Sequence, residues 1–82
     1  MDETIDVEAL RMFVRVAEQA SFTRAGQQLG IPKSRVSLRL KALEERLGTR
    51  LLQRTTRAVR LTPSGEQLLE RARQFLAEAT EM

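Results

Sequence analysis

Hydrophobic positions recur along the chain in blocks with helical spacing. Val7, Leu10, Phe13, Val14 and Ala17 keep that spacing to about Gln19 and predict a first helix. The polar segment before it, Met1 to Asp6, is expected to fray. Phe22, Ala25, Gly26 and Leu29 share one face of a second helix, and the small Ala25 and Gly26 let another helix come close. Ser21 precedes it as a cap whose hydroxyl can accept from a free backbone N–H. Gly30 suits the left-handed residue that ends a helix. A third helix is predicted over 32–47, with Pro32 in its first turn, where the missing N–H is not needed, and Gly48 closing it. Val36, Leu40, Leu43 and Leu47 are spaced to form one stripe, expected to be buried. The opposite face carries Ser34, Ser37, Leu38 and Lys41, with Lys33 at the leading end and Arg35 on the flank.

Beyond Gly48 the period changes. "LLQRTTRAVRLT" alternates in strand fashion, with Leu52 and Arg54 on one arm and Val59 and Leu61 on the other. No Gly or Asn marks the tip, so a four-residue loop of Thr55, Thr56, Arg57 and Ala58 is expected in place of a two-residue mirror-image turn. "TPSGE" reads as a helix start, with Thr62 as cap and Pro63 first in the helix. That helix can run to the end of the chain, about 30 Å. Leu68, Ala72, Phe75, Ala79 and Met82 follow heptad spacing, and Leu69 and Leu76 widen the stripe. Either a second copy of the chain or the chain's own core covers it. The division expected is 1–61 as a compact unit and 62–82 as a linker and dimerisation helix.

Charge singles out the middle of the chain. The net charge is only +3, but nine of the 14 basic residues and only two of the 11 acidic ones fall between Lys33 and Arg60. A positive centre with acidic ends points to a polyanion partner for one surface. At 82 residues with 41% hydrophobic content, the chain supports one small core. It has no His, no Cys, no glycine-rich phosphate loop and no metal-ligand spacing, so neither catalysis nor a cofactor is expected. No apolar run approaches the roughly 20 residues that span a bilayer, no signal peptide is recognisable, and no membrane partner is expected. The three phenylalanines fall on predicted core faces, which removes the stacking groups of single-strand RNA readers.

Two helices with small residues at their contact, a glycine turn, a helix with a polar outward face and a basic hairpin behind it make a winged helix-turn-helix. The fold class expected is mainly α: three helices and a short β-hairpin wing, then a long C-terminal linker helix. Several separated blocks strengthen this: Phe13, Ala17 and Glu18, "SFTRA" from Ser21, Leu29, Ser37, "LEERLG" from Leu43, "LLQRT" from Leu51 and "LTPSGE" from Leu61. Between Leu10 and Leu69 the chain resembles the amino-terminal DNA-binding domain of LysR-type transcriptional regulators. The resemblance implies a bacterial, cytoplasmic, nucleoid-associated protein that binds promoter or operator DNA as a homodimer through its last helix. It also implies a separate effector-binding domain, for which this chain has no room. Four positions depart from the family pattern. Gly26 replaces a frequent alanine, loosening the second helix. Pro32 replaces a common capping serine, Leu38 a frequent arginine, and Leu52 a common phenylalanine.

On this reading the outward face of helix 32–47 enters the major groove. Lys33 reaches a guanine edge or a phosphate, Ser34 and Ser37 bond either, and Leu38 suits a thymine methyl or is incidental exposure. Arg35 and Lys41 hold the backbone. Ser21, Thr23 and Arg24 lie near phosphates at the start of helix two, with the capping role of Ser21 in competition. Arg54 and Arg57 on the wing contact backbone or minor groove, unless Arg54 pairs with Glu44 or Glu45. Leu68, Leu69, Ala72, Phe75, Leu76 and Ala79 are the dimerisation residues.

Overall fold

The computed structural model describes residues 6–55 and 58–80, with side chains as far as residue 78. The order is α1 (Val7–Gln19), α2 (Phe22–Leu29), α3 (Lys33–Leu47), β1 (Leu52–Arg54), β2 (Val59–Leu61) and α4 (Pro63–Thr80). Phe13, Val16 and Met12 of α1, Ala25 of α2, Val36, Leu40 and Leu43 of α3, and Leu51 and Leu52 at the wing base form one buried cluster. Phe13, Ala25, Val36, Leu40, Leu43 and Leu52 are positions that the sequence spacing marks; Met12, Val16 and Leu51 are not, and of the face expected for α1, Leu10 and Val14 join a second cluster while Val7 and Ala17 are only half-buried. The result is a winged helix-turn-helix followed by a long fourth helix that lies against α1.

The α1 start corrects one expectation. Asp6 is not frayed; it is the N-cap of α1, and its carboxylate accepts from the Ala9 N–H at 3.0 Å. A single nitrogen of Arg39 on α3, Nη2, donates to both oxygens of the same carboxylate, at 3.0 and 2.9 Å, and lies 3.3 Å from Glu8. This clamp ties the first turn of α1 to the flank of α3. The bond from Ala9, joined by the contact and field of Arg39, holds the Asp6 carboxyl below its ordinary value, although partial burial opposes this. A carboxylate whose folded-state value lies below its unfolded value of about 3.9 stabilises fully above that value and loses the contribution as pH falls through the folded one. Asp6→Ala is therefore expected to cost about 1 kcal/mol at neutral pH. The gap between variant and parent should narrow by about pH 3; paired urea titrations at the two pH values measure it.

Between α2 and α3 the chain turns sharply. Gly30 adopts φ 75, where a side chain would be strained, and the Ile31 N–H donates to the Gly26 carbonyl at 3.0 Å. A Cβ on Gly26 would lie 2.6 Å from the Ile31 carbonyl oxygen. The glycine thus does more than loosen α2: it makes room for the turn. Pro32 is the N-cap of α3 and not part of its first turn, and no side chain caps the helix there. Leu47 corrects a further expectation. The last residue of α3, it is 50% exposed, because the apolar stripe outruns the elements that cover it.

The wing is anchored at its base. The Glu44 carboxylate accepts from the N–H groups of Leu51 and Leu52 at 2.8 and 3.1 Å, both at its Oε2. Strands β1 and β2 pair antiparallel, with Leu52 opposite Leu61 and Arg54 opposite Val59. Beyond β1 the Thr55 N–H donates to the Ala58 carbonyl at 2.9 Å, joining the two ends of the segment where the four-residue loop is expected. Thr56 and Arg57 lie outside the described residues. Thr62 is buried; its hydroxyl donates to the Arg50 carbonyl at 2.6 Å and accepts from the Gly65 N–H at 3.0 Å, capping α4 as expected. A Cβ on Gly65 would collide with the Leu51 carbonyl, so only glycine lets α4 leave the wing at this angle.

Helix α4 packs back on α1. Ala72 is buried against Leu10 and Val14, and Leu68, Leu69, Phe75 and Leu76 lie half-buried around them. Arg73 reaches Glu18 at 3.2 Å across the same contact. Of the heptad stripe, Ala72 is therefore taken up inside the chain. The side chains of Ala79 and Met82 lie outside the described residues.

Candidate nucleic-acid interface

Along α3 the residues opposite Val36, Leu40 and Leu43 stay uncovered. Lys33, Ser34, Arg35, Leu38 and Lys41 are exposed, and Ser37 is half-buried. Leu38 is 69% exposed at the centre of this face. Burial of the apolar side fixes the rotation of the helix, and the Arg39 clamp to Asp6 holds its flank. The outward side is thus uncovered and mainly cationic and hydroxylic. The α3 N-terminus carries no side-chain cap, so its first N–H groups face outward without that partner.

Helix α2 lies against α3. Ser21 is its N-cap, accepting from the Arg24 N–H at 3.0 Å, so the capping role expected for it is realised. A hydroxyl that accepts in this way still has a proton to donate. Thr23 and Arg24 are exposed beside it. Of the expected interface residues, Arg54 of the wing and Ser37 of α3 are in direct contact, while Ser21, Thr23 and Arg24 stand at the start of α2 and Lys33, Ser34, Arg35, Leu38 and Lys41 stand exposed along α3. Arg57 lies outside the described residues.

Arg54 sits otherwise than the sequence suggests. It reaches neither Glu44 nor Glu45. Its guanidinium lies 4.3 Å from the centroid of the Phe22 ring and donates to the Ser37 hydroxyl at 2.8 Å. Phe22 is itself packed on the main cluster, so the wing is tied to both helices of the helix-turn-helix. Lys41, Arg50 and Arg54 share an open cleft with Glu44, Glu45, Gly48 and Thr49.

Sequence reasoning missed Asp6, Arg39, Glu44 and Phe22 as supports of this surface. Asp6 had a signal, an aspartate three residues before the buried Ala9, which is the usual capping interval. Arg39 and Phe22 act across long sequence separations, and Glu44 acts across the turn that follows α3, on Leu51 and Leu52; no local pattern marks any of the three. Among the described residues no group of His, Cys, Asp or Glu is placed to hold a metal ion, and no helix is long and apolar enough to cross a membrane.

The family model of bacterial regulatory helix-turn-helix proteins of the lysR family matches residues 7–66. The uncharacterized HTH-type transcriptional regulator YhjC of Escherichia coli strain K12 is 46% identical over 76 residues, covering 93% of this chain and 25% of its own length. The HTH-type transcriptional activator AllS of Klebsiella pneumoniae is 49% identical over 72 residues, 88% of this chain and 27% of its own. The chain thus spans about a quarter of the length of these curated relatives. The crystal structure of a BenM_DBD/catB site 1 DNA complex superposes with a TM-score of 0.92 at 37% identity, over 95% of this chain and 87% of that one.

Proposed function

The chain belongs to the lysR family of bacterial regulatory helix-turn-helix proteins, and we propose that it is the part of a longer transcriptional regulator that binds operator DNA sequence-specifically. Residues 1–61 form the reading unit and 62–82 the arm that pairs two copies. The effector-binding domain lies elsewhere in the full protein, and the site of action is the bacterial cytoplasm, on the nucleoid.

The observation that carries this reading is the uncovered side of α3. A helix is about 10–12 Å across and the major groove about 12 Å wide, so that side fits between the phosphate ridges. Lys33, Ser34, Ser37 and Leu38 then meet base edges, while Arg35 and Lys41 reach the backbone. Ser21, Thr23, Arg24 and the N-terminal N–H groups of α2 bond phosphates. Arg54 and Arg57 bring the wing to the backbone or the minor groove. Pairing through the half-buried Leu68, Leu69, Phe75 and Leu76 of α4, with Ala79 further along, presents two reading helices to half-sites about one helical turn, or a multiple of it, apart. Ala72 contributes indirectly, by seating α4 on α1.

The test is Leu38→Arg. An apolar side chain at the centre of the face suits a thymine methyl, and a guanidinium suits a guanine edge. Selection from a randomised duplex library is expected to show the preferred base under residue 38 moving from thymine to guanine, by about tenfold in relative affinity. An unchanged preference would remove α3 from the reading role.

A further inference from the structure

Three elements meet at one side chain, Arg54. The Arg54 guanidinium, on β1, stacks at 4.3 Å on the Phe22 ring of α2 and donates at 2.8 Å to the Ser37 hydroxyl of α3. The direction of that bond is certain, because a guanidinium has donors and no acceptor. The Ser37 oxygen therefore accepts, and its own proton is left to point elsewhere. A fixed cation at one side of the oxygen also disfavours the approach of another positive hydrogen. Phe22 is packed on the main cluster, which holds the guanidinium in place.

A serine hydroxyl by itself is a poor reader of sequence, because it donates or accepts as the base requires. Filling one of its two lone pairs with a bond from a fixed cation biases it toward donating and changes this. In the major groove guanine offers N7 and O6, adenine offers N7 and thymine offers O4 as acceptors. Cytosine offers only its amino donor. We propose that Arg54 acts as a positioning residue that biases Ser37 toward donating, so that each half-site disfavours cytosine at the base Ser37 meets. The inference rests on the DNA-reading role of α3 and adds a specificity device to it, worked by a wing residue that need not touch a base.

The experiment is selection from a randomised duplex library with the parent chain, Ser37→Ala, Arg54→Met, Arg54→Lys and the Ser37→Ala/Arg54→Met pair. The parent is expected to disfavour cytosine about fivefold at one position of each half-site. Ser37→Ala and Arg54→Met should each flatten the preference at that same position, and the double variant should flatten it no further. Arg54→Lys, which restores a cationic donor, should recover part of it. Phosphate contact alone predicts something else: Arg54→Met would weaken every duplex alike and leave the base profile intact. That result, or a preference that survives Ser37→Ala, overturns the proposal. A parent chain without any sequence preference would instead overturn the DNA-reading role beneath it.

Discussion

Raising the salt concentration from 50 to 200 mM is expected to weaken operator binding by about 10³–10⁵-fold. The expectation comes from counting exposed cations on one side of the molecule. Arg24, Lys33, Arg35, Lys41 and Arg54 are exposed around α3, whereas Arg39 is committed to Asp6 and Glu8. Two copies on a palindromic site, together with the helix N-termini, neutralise about 6–10 phosphates. Each neutralised phosphate releases condensed counterions, so log affinity falls linearly with log salt, with a slope of about −5 to −9. Fluorescence anisotropy on a labelled operator duplex gives the slope directly. A slope near zero would mean that the basic centre of the chain does not meet the DNA backbone.

Phe13→Ala should bring the fold close to its limit. Phe13 is fully buried at the centre of the main cluster, where α1 meets α2 and α3. Removing a buried phenyl ring costs about 3–5 kcal/mol, from lost burial and from the cavity left behind. A domain of this size has about 4–12 kcal/mol in total. Urea denaturation followed by circular dichroism should therefore show a midpoint displaced by a large fraction of its value. A loss under 1 kcal/mol would mean that the helices do not depend on this cluster to hold α3 in position.

The helices and the wing were legible because each carries a local signature. The four-three spacing of Val36, Leu40 and Leu43 sets the rotation of α3, and with it the outward side that bears Ser34, Ser37 and Lys41. Gly30, Gly48, Thr62 and Pro63 marked their boundaries through backbone preferences that tertiary contacts do not override. Leu47 misled for the converse reason: periodicity reports which side a residue is on, not how far the covering elements extend. Ala20 gave no warning either. It ends α1 at φ 52, a conformation that glycine usually takes, held by its N–H donating to the Val16 carbonyl at 2.7 Å. The candidate surface was readable as a list of exposed side chains but not as a mechanism. Nothing in the sequence says that Arg54 lies on Phe22 and binds Ser37, because each pair is brought together only when the wing folds back. In α4 the heptad spacing was visible, but it could not tell the part that α1 covers, at Ala72, from the rest.

Chemical-shift mapping of the isotope-labelled chain, titrated with a duplex selected for tight binding, tests the central claim most directly. The largest backbone shifts are expected at Lys33, Ser34, Ser37, Leu38 and Lys41, with a second group at Ser21–Arg24 and a third at Arg54. Shifts confined to α4, with the outward side of α3 unmoved at saturating DNA, would contradict the account.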